Sequence, residues 1–207
     1  MRRVNGRLHD AIVLTAVYGT RQRIVAEAAK LFNQHGFEGG SISELMQATG
    51  LEKGGIYRHF SSKEEVAAEV FDYAWQEALK VRMHDLDLIP DRVDRLKRFV
   101  ENFIERRPSI PGGCPLLNTA TDADDGNPVL RAHLSSIVRD GIEQEEIRRS
   151  IDPNRLATLI ISSLEGAMMI GRLEKNSEPL VAVQSYVDSY LEKEVRFHPR
   201  SGIPRRF

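Results

Sequence analysis

Between residues 53 and 63 the chain places Lys53, Tyr57, Arg58, His59 and Lys63 around two consecutive glycines, Gly54 and Gly55. Cationic and hydrogen-bonding side chains at that density suit a polyanion. Lysine and tyrosine hold phosphate oxygens, and an arginine can bond guanine bidentately. Each glycine costs a helix about 1 kcal/mol relative to alanine. Together they leave a bare helical backbone that a phosphate or base edge can approach closely. Only Ile56 and Phe60 remain to anchor the segment to a core. The pattern fits a helix that reads DNA, with Arg58 the candidate for direct base readout.

Such a helix needs a frame. Ser41 and Glu44 form an S-x-x-E capping box that opens a short helix with Ile42, Leu45 and Met46 on one face. Gly50 suits the left-handed residue that ends it. A second short helix, Glu52 to Phe60, follows at once, and two short helices about a Gly-containing turn read as helix-turn-helix. Upstream, Thr20 is the expected cap of a helix with Ile24, Val25, Ala28, Leu31 and Phe32 at helical spacing. Gly36 is expected to end it, with Phe37 folding back as a hydrophobic contact. Ser62 and Glu65 form a second capping box, opening a long helix to about His84 with Val66, Val70, Ala74 and Val81 on its buried side. A helix joined so directly to the recognition segment can act as a lever.

Four segments carry a resemblance: T-R-Q-R-I-V-A-E-A-A-K-L-F-N-Q-H-G-F (20–37), S-I-S-E-L (41–45), G-L-E-K-G-G-I-Y-R-H-F (50–60) and S-K-E-E-V (62–66). In this order and spacing they resemble the N-terminal domain of the tetracycline-repressor (TetR) family. The similarity spans roughly residues 20–66. It implies an all-α, dimeric, ligand-responsive transcriptional regulator that binds double-stranded operator DNA. By position, Lys53, Tyr57 and Lys63 resemble the family's phosphate contacts, Gly54 and Gly55 allow backbone approach, and Arg58 and His59 face the DNA. Thr20, Ser41 and Ser43 are further candidates for phosphate contact. The family's body encloses an effector pocket, which places Trp75, Phe99, Phe103, Cys114, Leu117 and Met168 as candidate lining residues.

Beyond residue 66 the periodicity remains helical. Pro90 breaks the pattern, and Asp91 starts a helix with Val93, Leu96, Val100, Phe103 and Ile104 on one face. Residues 107–115, RPSIPGGCP, read as a loop, followed by a short helix from Pro115 and the breaker TDADDGNP. Asn127-Pro128 and Asp152-Pro153 are cap-then-proline starts. The first opens a helix with Leu130, Leu134, Ile137, Val138, Gly141 and Ile142 at helical spacing. The second opens RLATLIISSLEGAMMIGRL, apolar around most of its circumference. A last helix, Pro179 to Val195, carries Leu180, Val183, Val187, Tyr190 and Leu191 on a stripe. No period-two strand pattern and no repeat occurs. The expected fold is all-α: a flexible extension (1–19), a three-helix DNA-binding domain (20–66), a helical effector-binding and dimerisation domain (67–196) and a flexible tail (197–207). Dimerisation is expected through 153–173 and 179–195, because an all-round apolar helix needs cover on more than one side.

The remaining chemistry is sparse. The six histidines are scattered with no i/i+4 pair, so no metal site is expected. Asp122, Asp124, Asp125 and Gly126 lose the calcium-loop alternation and lack its closing glutamate, so a turn is expected there. Cys114, before Pro115, reads either as an inert cap or as an electrophile sensor at a helix N-terminus, where the dipole favours thiolate. A catalytic role with His133 as base has no supporting signature, so no enzyme activity and no cofactor are expected. One cysteine in the chain rules out an intramolecular disulfide and fits a reducing, cytoplasmic setting. No apolar run is expected to approach the length of a membrane span, and residues 11–18 after Arg2, Arg3 and Arg7 mimic a signal peptide only faintly. Charge is uneven: residues 1–63 carry +4 and residues 64–207 carry −5. A basic head on an acidic body fits a DNA-contacting module attached to a regulatory one.

Overall fold

The computed structural model of the chain describes residues 4–106, 110–112, 114 and 129–198, with the backbone alone for 4–18 and 37–39. Among these residues there are eight α-helices: α1 (Val4–Gly39), α2 (Ile42–Thr49), α3 (Lys53–Ile56), α4 (Lys63–Arg82), α5 (Arg92–Glu105), α6 (Val129–Glu143), α7 (Pro153–Glu174) and α8 (Glu178–Tyr190). The only extended pairing described is an isolated antiparallel bridge, Ile147 with Arg196. The all-α expectation holds. The chain divides into two compact units, Met1–Ala78 with Pro108–Asp124, and Leu79–Arg107 with Asp125–Phe207.

In the first unit, Ile24, Val25, Ala28, Ala29 and Phe32 of α1 are buried with Leu45, Ile56, Phe60, Val66, Val70 and Ala74. These residues recur every three or four positions, so each helix gives one stripe to a common core. Gly36, at φ 75°, kinks α1 where the first helix was expected to end. The Phe37 side chain lies outside the described residues. Thr20 differs from expectation: α1 runs without break from Val4, so Thr20 is an interior helical residue and residues 4–19 extend the helix rather than trail from it. Residues 11–18, AIVLTAVY, contain no proline or glycine, so nothing in the local chemistry stops the helix before Gly19.

Ile110 belongs to the same core. It is held there by the buried Asn33, whose side-chain amide donates to the Pro111 carbonyl at 2.9 Å. Gly112 follows at φ 113°, and a Cβ there would stand 2.2 Å from the Asn33 carbonyl oxygen. Only glycine fits that approach.

In the second unit α5, α6, α7 and α8 bury the faces expected of them, including Val93, Leu96, Val100, Leu130, Leu134, Val138, Ile160 and Val187. Asp91 and Asp152 cap α5 and α7, accepting from the Asp94 and Arg155 backbone N–H groups at 2.9 Å each. α8 ends at Tyr190, and Leu191–Val195 continue as a π-helical turn. The C-terminal stretch is fastened by Arg196, paired to Asp91 at 2.8 Å and to Glu192 at 3.0 Å. The end of α4 is held by Asn102, which donates to the Arg82 and His84 carbonyls at 3.2 and 2.7 Å. The Arg82 guanidinium stacks on Phe103 at 4.3 Å and pairs with Glu165 at 3.5 Å, both charges buried. α7 reaches the length and mean hydropathy of a membrane span, which the sequence reading did not anticipate. It is a core helix on one side, burying Leu156, Ala157, Ile160, Leu164 and Ala167. The helix expected from Pro115 and the 121–128 breaker lie outside the described residues.

Candidate nucleic-acid interface

The capping box forms as the spacing predicts. Ser41 Oγ accepts from the Glu44 N–H at 3.2 Å, and Glu44 accepts from the Ser41 N–H at 2.9 Å. The second of these bonds, with the Ser41 hydroxyl, holds the Glu44 carboxyl below its ordinary range. Gly50 sits in the left-handed region at φ 68° and donates to the Met46 carbonyl at 2.9 Å, ending α2. Thr49, buried at the same end, donates to the Leu45 carbonyl at 2.6 Å.

The recognition segment is then short and strictly oriented. α3 proper covers Lys53–Ile56, and helical bonds continue from Tyr57 N–H to Lys53, Arg58 to Gly54 and Phe60 to Ile56. Ile56 and Phe60 are buried, at 0% and 2% exposure, so they fix which side faces out. The exposed side carries Lys53, Gly54, Tyr57 and Arg58, with Gly55 and His59 at its margin. Neither glycine has positive φ. Among the described residues, a Cβ at Gly54 would meet nothing within 4 Å, and one at Gly55 only Leu51 at 3.5 Å. Folding therefore requires glycine at neither position. Lys53 Nζ lies 5.9 Å from the Tyr57 ring centre, so two of the expected DNA contacts stand together.

The link into α4 holds Lys63 at the helix start, half-buried and 5.9 Å above the Phe32 ring. The second capping box forms with a shift. Ser62 Oγ accepts from the Glu65 N–H at 3.2 Å, but Glu65 reaches back to Ser61, accepting from its hydroxyl and N–H at 2.6 Å each. Those two bonds, with a third from Arg21, pull the Glu65 carboxyl down to about 2. Ser41 and Ser43 are exposed at the start of α2, and Thr20 is half-buried on α1.

One participant was missed by sequence reasoning. Arg21 on α1 pairs with Glu65 at 2.9 Å and with Glu69, donates to the His59 carbonyl, and lies 4.1 Å over the Phe60 ring. The only sequence signal was the Glu65/Glu69 pair, one turn apart on α4. An acidic pair names no partner some forty-five residues away.

Residues 24–70 match the bacterial regulatory proteins of the tetR family, and residues 92–187 match a tetracyclin repressor-like C-terminal domain. A TetR transcriptional regulator from Chloroflexus aurantiacus J-10-FL is 40% identical, with 89% of this chain and all of that one covered at a TM-score of 0.82. The chain belongs to the tetR family. A second family regulator, from Cytophaga hutchinsonii, is 30% identical over 89% of this chain and 98% of its own, at a TM-score of 0.80. The HTH-type transcriptional repressor DhaR of Mycobacterium sp. (strain GP1) is 28% identical, covering 77% of this chain and 86% of that protein. The helix-turn-helix described above is thus that of a DNA-binding transcriptional regulator, and the chain is a regulator rather than an enzyme.

The residues expected to line an effector pocket divide between the regulator's two units. Trp75 and Cys114 are buried in the first, at 3% and 2% exposure. Phe99 and Phe103 are buried in the second, their ring centres 6.3 Å apart, with Met168 half-buried there. Leu117 lies outside the described residues, as does the helix that Cys114 was expected to cap. Two surface grooves of the second unit are lined by other residues. One, of about 750 Å³, runs beside Ile147, Arg148, Arg149 and Phe197. The other, of about 420 Å³, runs along Asn154, Arg155, Thr158, Leu159 and Ser162.

Proposed function

We propose that the regulator is a repressor that binds a pseudo-palindromic operator as a homodimer in the cytoplasm and is released by a small-molecule effector. The observation that carries the DNA-reading part is the bare backbone at Gly54 and Gly55. The fold demands glycine at neither, yet helix propensity argues against both. A surface built for close approach accounts for them. Lys53, Tyr57 and Lys63 then serve the phosphates, and Arg58, with His59 beside it, meets the base edges. Thr20, Ser41 and Ser43 are secondary phosphate contacts in this reading. The repressor sense is supported by a relative that bears that description.

Release follows from linkage. If an effector prefers a body conformation that spreads the two heads, effector and DNA must disfavour each other by the same factor. α4 begins beside the recognition segment at Lys63 and ends at Arg82, which Asn102 and Glu165 grip. A shift at that end would be carried along a continuous helix. The direct test is selection of duplexes from a random library by the full-length protein, followed by footprinting. The expected result is an enriched inverted repeat with two protected half-sites about one turn, or a multiple, apart. Failure to enrich any sequence over random duplex would overturn the reading.

A further inference from the structure

A four-residue helix carrying two glycines, held by two apolar anchors, is a weak platform for base readout. Ile56 and Phe60 set which side faces the core, and a further restraint reaches the segment from α1. Arg21 directs one nitrogen at the His59 carbonyl, a group at the C-terminal end of the recognition segment that α3 itself leaves unpaired. Its Nε donates to both Glu69 oxygens at 3.2 and 3.1 Å, and its remaining nitrogen reaches Glu65 at 2.9 Å and Glu69. The guanidinium plane lies on Phe60, the anchor itself, at 4.1 Å. Glu65 in turn holds Ser61, the next link. One side chain therefore joins α1, the recognition segment and α4.

We propose that Arg21 is a positioning residue for DNA recognition, locking the backbone behind Arg58 and His59 to α1 and α4 without touching DNA. The proposal rests on the DNA-reading assignment above. Its chemistry needs the planar five-donor fork, which lysine cannot reproduce. It is also not chiefly a device for stability. The Arg21 side chain is 28% exposed, and ion pairs that open to water contribute little to folding. What the contact supplies is a fixed orientation at the instant of binding, so that little ordering remains to be done on the DNA.

The test uses the full-length protein, a duplex selected by wild type and a scrambled duplex of equal length, with Kd measured across a series of KCl concentrations. Arg21→Ala and Arg21→Lys should each weaken selected binding about 10- to 100-fold. Scrambled binding should change by less than about threefold, because phosphate contacts remain. The salt slope should stay at the wild-type value. Glu69→Gln, which keeps the arginine and spares the fold, should lower the selected-to-scrambled ratio in the same sense by a smaller factor, and it stands in if the Arg21 variants do not fold. A slope shallower by about one would make Arg21 a phosphate contact and overturn the proposal. So would full rescue by lysine, equal loss on both duplexes, or an unchanged ratio in Glu69→Gln. If wild type itself prefers no duplex, it is the DNA-reading assignment that falls.

Discussion

Lys63 and Arg58 are both cations proposed to contact DNA, yet their loss should read differently. A phosphate contact releases counterions whatever the base sequence. Lys63→Ala or Tyr57→Phe should therefore weaken selected and scrambled duplexes alike, and removing the lysine should flatten the log Kd against log salt plot by about one. Arg58→Ala should leave scrambled binding nearly intact and relax discrimination at particular base pairs, by about 1–3 kcal/mol each. Quantitative binding to a panel of single-substituted operators separates the two cases. Glu65 makes a different prediction, about acid. Its carboxyl sits at about 2 in the folded chain against 4.5 when free. A depressed folded value contributes stability above pH 4.5, and that contribution is lost as pH falls from there towards 2. Glu65→Gln should cost stability at neutral pH, and the gap to wild type should close through that window. Chemical denaturation followed by circular dichroism at pH 7, 4 and 2.5 measures it; a gap independent of pH would rule out the ionised carboxylate as the cause.

At the scale of the elements, α3 is a helix whose sequence opposes its own formation, and the conflict is testable. Gly54→Ala puts a methyl group into open space on a helical backbone. It should stabilise the fold by up to about 1 kcal/mol. In the proposed reading the same methyl group stands where DNA approaches, so operator affinity should fall. Thermal melting and operator titration of one sample give both signs, and a variant that gained stability with unchanged affinity would free the glycine from any role in binding. Gly112→Ala should instead destabilise the fold, because of its φ of 113° and the Asn33 carbonyl oxygen that would stand 2.2 Å from the added Cβ. These elements differ in how legible they were. The capping box at Ser41 and the Ser62 half of the second could be read because their partners lie three residues off, within reach of local geometry, whereas the return bond of Glu65 goes one residue further, to Ser61. Gly50 followed from the same local chemistry. The clasp of Arg21 could not be read, since its partners are 38 to 48 residues away and only the packing of α1 on α4 brings them together. The start of α1 was misplaced for a related reason: Thr20 has the chemistry of a cap, but a cap forms only where the preceding chain leaves the helix, and Val4–Gly19 does not.

For the whole molecule, the proposed dimer turns on the α7 and α8 surface. Sequence marked α7 as apolar beyond the need of one protomer and α8 as carrying a single apolar stripe, but could not separate the inward from the outward residues, because apolar side chains run around most of α7. Ile160 and Val187 are buried inside the protomer at 0% and 2% exposure. The apolar residues left facing out are Leu159, Met169, Ile170 and Leu173 on α7, with Val181 and Tyr186 on α8, all at least 40% exposed. Gly166 lies on the same stripe with open space above it, so a partner helix can come close. Exposed apolar residues of this kind suit an interface, and in the proposed dimer their pairing with the two-fold mate would give a four-helix contact. The two classes of residue then predict opposite outcomes. Ile160→Glu should abolish folding, since an uncompensated charge enters the core. Met169→Glu combined with Leu173→Glu should leave helicity and melting close to wild type while converting the dimer to a monomer in sedimentation. That monomer retains one intact head, and one head neutralises about half the phosphates. Its salt slope on the operator should therefore be about half that of wild type, with the footprint reduced to a single half-site. A double variant that still sediments as a dimer would place the contact on another face, and a monomer with an undiminished slope would mean that each operator is read by one head alone.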